Sequence, residues 1–221
     1  IKGLNEINYF TSRSILKVNK IPEKLVVIGG SYVGLEFAQM FSRFVSKVTV
    51  LEHASRFLPR EDEDISEELK KILEEEKIKI ITGASAASIK QKSKRNFQLT
   101  YQLNVKDKLL EGTHLLIAAG VNPNTPGLNL AAAGIETDEK GYIKVNNKLE
   151  TNVSGIYALG DVKGGPAFTH ISYDDYRIAL ANVTKKKFLS TENRLVRYVM
   201  FIDLEFAGIG ITEQEARAKG L

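Results

Sequence analysis

Short apolar runs and amphipathic stretches alternate through the first half of the chain. Lys24-Leu-Val-Val-Ile28 has strand length, is almost wholly apolar and ends in Gly29-Gly30, so the pattern predicts a buried strand running into a turn. Val33, Phe37, Met40, Phe41 and Phe44 then recur at helical spacing. A second apolar strand, Lys47–Leu51, ends in Glu52. Residues 61–77 read as a helix with Ile65, Leu69, Ile72 and Leu73 on one face, and its nine carboxylates against three lysines read as solvated surface. Ile78–Ile81 gives a third strand. This order of elements over 24–81 predicts a parallel sheet with helical crossovers.

The texture then changes. Ser88-Ile89, Phe97–Tyr101 and Lys108–Leu110, separated by polar turns, predict an antiparallel meander, with the basic cluster Lys90, Lys92, Lys94 and Arg95 on an exposed turn. His114–Ala119 returns as a buried strand ending in Gly120, where one domain closes. Beyond it, Pro123 and Pro126 mark turns, a short hairpin is expected around Gly141–Val145, and a strand at Ile156–Leu159 ends in Gly160-Asp161. Phe168–Val183 looks helical, Arg197–Ile202 strand-like and Thr212–Lys219 helical. Residues 1–21, with Pro22 following, read as an approach segment.

Composition narrows the function without naming it. The 221 residues carry 31 basic and 27 acidic side chains, and the scattered cations have no interleaved aromatics, so nucleic acid is not the expected partner. There is no cysteine, which excludes a disulfide framework, a thiolate metal site and a cysteine nucleophile within these residues. The three histidines, His53, His114 and His170, fall in separate elements without ligand spacing, so no metal site is expected. No apolar run reaches about 18 residues, so no membrane segment is expected. The chain begins with Ile1 and reads as a piece of a longer, cytoplasmic protein.

Gly29-x-Ser31-x-x-Gly34 lies between strand and helix, and Glu52 follows 23 residues after Gly29, close to the roughly 20 of the dinucleotide fingerprint. The first glycine makes the tight turn and the third lets helix and strand approach. The helix start offers N–H groups and positive dipole to a pyrophosphate. Glu52 can accept both adenosine ribose hydroxyls. Ser31 departs from the pattern by standing where a second glycine is usual.

Three stretches carry a further resemblance: Gly30-Ser-Tyr-Val-Gly-Leu-Glu36, Ala118-Ala-Gly-Val-Asn-Pro-Asn-Thr125 and Thr151-Asn-Val-Ser-Gly-Ile-Tyr-Ala-Leu-Gly-Asp161. In this order the chain resembles the flavin-dependent pyridine nucleotide–disulfide oxidoreductases, over nearly its whole length, with the dihydrolipoamide dehydrogenase and mercuric reductase branch the nearest. The resemblance implies an α/β fold: a Rossmann-like NAD(P)-binding domain carrying the meander at 22–121, the second segment of a FAD-binding domain at 122–190, and the start of a dimerisation domain at 191–221. It implies that the first FAD segment, with its redox cysteine pair, and the base of the interface domain lie outside this chain.

The same resemblance implies roles for individual residues. Gly29, Gly30, Ser31, Val33 and Gly34 form the nicotinamide nucleotide loop. Tyr32 is the ring that gates the nicotinamide pocket, Glu36 the acid that pairs with a lysine beside the flavin, and these two are the catalytic candidates. Ala86 stands against the adenine, Gly120 ends the last strand, and Val121 replaces an arginine usual there. Gly160 and Asp161 meet the FAD ribityl chain, and Ala167, Phe168, Thr169 and His170 start the helix facing the flavin's pyrimidine edge. The implied cofactors are FAD and NAD, rather than NADP, and the implied partners are a small-molecule or metal-ion acceptor and a second copy in a homodimer. Each has a plainer alternative: Tyr32 as a half-buried helix residue, Glu36 as a surface acid and Asp161 as a turn former. A nucleotide-binding module without chemistry of its own also fits these residues.

Overall fold

The computed structural model describes residues 1–185 and 187–221. Its contacts divide the chain into two units. One comprises residues 1–120, 199–206 and 211–221, the other residues 121–198 and 207–210.

The first unit is built on a parallel sheet of β1 (Lys24–Ile28), β2 (Lys47–Leu51), β3 (Lys79–Ile81) and β7 (His114–Ile117), in the spatial order β3-β2-β1-β7. Val27 lies opposite Val50 on one side and Leu116 on the other. Both faces are covered, which is why these strands are apolar runs and not alternating ones. Leu25, Val27, Val48, Val50 and Leu116 pack against α1 (Tyr32–Arg43) and α2 (Glu63–Glu75). Val26, Leu51 and Leu115 point the other way, against Ile89, Phe97, Leu99 and Tyr101. These belong to the antiparallel meander β4 (Ala84–Gln91), β5 (Phe97–Leu103) and β6 (Lys106–Gly112). The meander's strands are longer than the sequence indicated, and a bulge between Ala86 and Ser88 shifts the β4–β5 register. Residues 1–21 pack into this unit: Lys2 bridges to Ser88, Phe10 bridges to Leu116, and Ile15 is fully buried.

Two expectations about these helices are corrected. Val33 and Phe44 do not face the core; they are 44% and 50% exposed. The helix ends at Arg43, leaving Phe44 as its C-cap, and the buried face runs through Leu35, Ala38, Gln39 and Phe41. Nor is the acidic run at 61–77 simply solvated. Glu61 is 4% exposed, Glu76 takes a two-pronged hydrogen bond from Arg43 at 2.9 and 2.7 Å, and Asp62 accepts two backbone N–H groups. Long-range packing, which charge counting does not see, recruits them.

The second unit has less regular structure. It holds 3-10 turns at Leu130–Ala133 and Gly160–Lys163, single bridges Thr137–Ile143 and Glu150–Tyr157, and α3 (Thr169–Lys185). The expected hairpin at 141–145 and strand at 156–159 are reduced to those bridges. Side chains take the donors a ladder would use: Asp138 Oδ1 accepts from the N–H groups of Lys140 and Tyr142, and Asn146 Oδ1 from those of Lys148 and Glu150. Leu149, Ile178 and Ala179 form the core of this unit. Late in the chain, β8 (Arg197–Met200) and β9 (Phe206–Ile209) form a two-stranded sheet, followed by α4 (Glu213–Ala218).

The short helix α4 is closed by a capping box between Thr212 and Glu215, and the Asp62 carboxylate accepts from the N–H groups of Glu213 and Gln214 at 2.9 Å each. These two bonds, Gln214's first, hold the Asp62 pKa below its ordinary 3.8. A depressed carboxylate contributes stability that is present above the ordinary pKa and lost as pH falls through the folded one. Hydrogen exchange at the Glu213 and Gln214 amides should therefore be protected at neutral pH and lose that protection only as pH falls below the ordinary 3.8. Asp62→Ala should remove the protection at every pH, and unchanged exchange in that variant would refute the role.

Candidate functional site

The turn after β1 is where the sheet, α1 and β7 converge. Gly29 has φ +109° and its N–H donates to Leu51 O at 2.9 Å, so the chain leaves β1 in a conformation L side chains rarely adopt. A Cβ at Gly29 would overlap the Ala118 backbone at the end of β7, and one at Gly34 would overlap the carbonyl oxygen of Gly29. This region lies at the carboxyl ends of β1 and β7, where a parallel sheet of this order presents its ligand crevice. Ser31 is the N-cap of α1, exposed and extended, and its hydroxyl makes no cap bond to the helix.

Glu52, at the end of β2, closes the other side of the turn. Its Oε2 accepts from Gly30 N–H at 2.6 Å and its Oε1 from Ala54 N–H at 2.8 Å. Each oxygen keeps acceptor capacity beyond that bond, so the carboxylate can both order the loop and receive ribose hydroxyls. Arg56, the nearest cation in sequence, donates to Glu61 O at 2.9 Å and Pro59 O at 2.6 Å; its guanidinium is engaged with its own loop. Ala84 N–H donates to Glu52 O and His53 Nδ1 lies 2.8 Å from Ser85 Oγ, so the start of β4, with half-buried Ala86, sits beside the Glu52 end of β2. The tight glycine turn, the helix start and the paired carboxylate fit a dinucleotide.

The remaining first-unit candidates are placed as follows. Tyr32 is half-buried, and its hydroxyl donates to Glu61 Oε1 at 2.6 Å. Glu36, one turn along α1, accepts from Phe201 N–H at 2.9 Å. Val33 and Gly120 are exposed, and Val121, the first residue of the second unit, is 71% exposed. In the second unit, Asp161 is exposed at the start of the Gly160–Lys163 turn, and Ala167, Thr169 and His170 are exposed around the start of α3. Phe168 O accepts from the N–H groups of Ile171 and Ser172, its ring stacks on His170 at 5.4 Å, and His170 Nε2 lies 2.7 Å from Arg197 O. One acid plus one helix start fits part of a flavin site.

Sequence reasoning missed two buried acids. Glu61 was hidden among eight other carboxylates in the 61–77 run. Asp175 is 0% exposed, and here a signal existed: it falls between Ile171 and Ile178, on the buried stripe of α3. Among the described residues no helix is long and apolar enough to cross a membrane, and no group of three or more His, Asp or Glu is placed to hold a metal ion.

The model of the pyridine nucleotide-disulphide oxidoreductase family matches residues 1–175, and the chain belongs to that family. It is 36% identical over 220 residues to a mercuric reductase of Bacillus cereus, covering all of this chain and 35% of that protein. It is 35% identical over 211 residues to a dihydrolipoyl dehydrogenase of Thermus scotoductus, covering 95% of this chain and 45% of that one. Among solved structures, the Cu(II) complex of the HOCl-induced flavoprotein disulfide reductase RclA from Escherichia coli matches with a TM-score of 0.91 at 38% identity, over 99% of this chain and 50% of that one. The chain thus spans about a third to a half of the length of these relatives.

The packing of Gly34 against Gly29 yields a test. Alanine in a helix ordinarily stabilises by about 0.5–1 kcal/mol over glycine. Here the added methyl would meet backbone that cannot rotate away, so the sign should reverse. Gly34→Ala is expected to destabilise by about 1–3 kcal/mol in urea unfolding. An unchanged or higher midpoint would show that the turn and helix are not in contact as described.

Proposed function

We propose that this chain is the nicotinamide-nucleotide-binding part, with one wall of the flavin site, of a FAD-dependent pyridine nucleotide–disulfide oxidoreductase. The carrying observation is the glycine turn held by Glu52, at the crevice end of a β3-β2-β1-β7 parallel sheet. In this reading residues 22–121 bind NAD(H), 122–190 complete the FAD domain and 191–221 begin the dimerisation domain of a cytoplasmic homodimer. Bound flavin would supply the chemistry there, taking hydride from the nicotinamide and handing electrons to a cysteine pair and an outside acceptor. These residues hold no cysteine, so this reading requires the pair to come from outside them.

Within the chain, each residue has a share. Gly29, Gly30, Ser31, Val33 and Gly34 carry the pyrophosphate, Glu52 the adenosine ribose, and Ala86 borders the adenine. Tyr32 gates the nicotinamide, Glu36 pairs with a lysine beside the flavin, and Gly120 ends the last strand of the nucleotide domain. Gly160, Asp161, Ala167, Phe168, Thr169 and His170 face the flavin. Dihydrolipoamide is the first acceptor to consider and Hg(II) the alternative, since relatives bearing both names match at similar identity.

NAD(H) should be preferred over NADP(H). A 2′-phosphate would meet the Glu52 carboxylate, while Arg56 is engaged with loop carbonyls. Calorimetric titration is expected to show tighter binding of NADH than NADPH. Glu52→Ala, losing charge-assisted bonds of about 1.5–3 kcal/mol, should lower NADH affinity roughly 10- to 150-fold. Tighter NADPH binding by the unsubstituted protein would overturn the assignment.

A further inference from the structure

Asp175 occupies a position where the pattern of α3 asks for an apolar side chain. Ile171 and Ile178, on the same stripe, are 3% and 6% exposed, and Asp175 itself is fully buried. A carboxylate survives such burial only when charges and hydrogen bonds replace its water. Three partners do so. Asp175 Oδ2 accepts from Gly160 N–H at 2.9 Å and lies 3.3 Å from Lys163 Nζ, while Oδ1 accepts from Arg194 Nη2 at 2.7 Å. The two cations are themselves largely buried, with side chains 10% and 13% exposed, and Arg194 Nε lies 2.9 Å from Asp174.

The arrangement has a direction. Two of the three partners are the first and last residues of the same short turn, Gly160–Lys163, and the residue between them that faces solvent is Asp161. Gly160 also approaches α3 closely: a Cβ there would come within 2.9 Å of Ser172 Oγ. Both ends of the turn are therefore fixed to one helix by one carboxylate, which sets the backbone position from which Asp161 projects. A residue needed only for packing would be apolar at this position. A buried, fully paired acid specifies one geometry for the loop it grips.

We propose that Asp175, with Lys163 and Arg194, is a positioning residue for the flavin site: it sets the Gly160–Lys163 turn so that Asp161 meets the FAD ribityl chain, without touching the cofactor itself. This rests on the reading of Asp161 given above. Asp175→Asn keeps an acceptor for Gly160 N–H but leaves buried Lys163 without its counter-charge and Arg194 with Asp174 alone, so the turn should shift while the helix remains.

The test uses the full-length protein, with FAD affinity measured by reconstituting apoprotein and following flavin fluorescence, alongside the bound flavin's visible spectrum and the apoprotein's thermal midpoint. Asp175→Asn is expected to weaken FAD at least tenfold and alter the spectrum. A second variant, Lys163→Met with Asp175→Leu and Arg194→Met, replaces Asp175 and its two cations by apolar groups of similar size and leaves Asp174 to Arg177, a change that often restores stability. It should recover the apoprotein's midpoint but not FAD affinity, a split that a merely structural role would not produce. Wild-type FAD affinity in this triple variant would overturn the proposal, and the triple variant decides if Asp175→Asn fails to fold. Wild-type affinity in Asp175→Asn, while Asp161→Ala loses tenfold or more, would overturn the positioning role alone. Wild-type affinity in Asp161→Ala would instead overturn the reading of the flavin wall beneath it.

Discussion

Everything in the first unit is arranged around a close approach of backbone to backbone. Gly29 and Gly34 meet with no side chain between them, and Ala118 of the neighbouring strand's end presses on the same point. That contact brings the start of α1 down onto the sheet. It also leaves the turn's N–H groups to be claimed from outside, and Glu52 claims that of Gly30. A larger residue at either glycine would lift the helix off the sheet, and the loop, the carboxylate and the helix dipole would no longer converge. The apolar packing on both faces of the sheet makes this rigid: Leu25, Val27 and Leu35 on one side and Val26 and Leu115 on the other are at most 1% exposed.

Polar groups do different work in the two units. In the first they anchor segments distant in sequence: Gln39 exchanges hydrogen bonds with the backbone of Asp203, Arg43 bridges Glu76 and Asp203, and Asp62 holds the first turn of α4. Exposed pairs of this kind add little stability singly, but together they fix which surfaces meet. In the second unit regular ladders are scarce. Asp138, Asn146 and Asp175 take over the organisation of the backbone, because the apolar core there is small.

Much of this was legible from residue order. The parallel strands announced themselves as short apolar runs, and the meander as short segments separated by polar turns. The glycine turn and Glu52 were readable together because their spacing follows from the length of one helix and one strand. Less visible were features decided by distant segments. Val33 and Phe44 fit a helical period counted from the wrong residue, and only the position of the helix ends shows which face is buried. The run 61–77 looked uniformly solvated, yet Glu61 meets Tyr32 and Glu76 meets Arg43 across the tertiary fold. The strand expected at 156–159 has the right residues, but within the described chain its backbone groups bond to loop positions such as Thr151 and Leu149.

We propose the turn between β1 and α1, closed by Glu52, as a nicotinamide nucleotide site. Titration of isotopically labelled protein with NADH, followed through backbone amide shifts, addresses it directly. Saturable shifts should centre on Gly29–Gly34 and on Glu52–Ala54, whose N–H groups and carboxylate bound the crevice. Saturable binding that leaves these amides unmoved, with shifts centred elsewhere, would overturn that assignment.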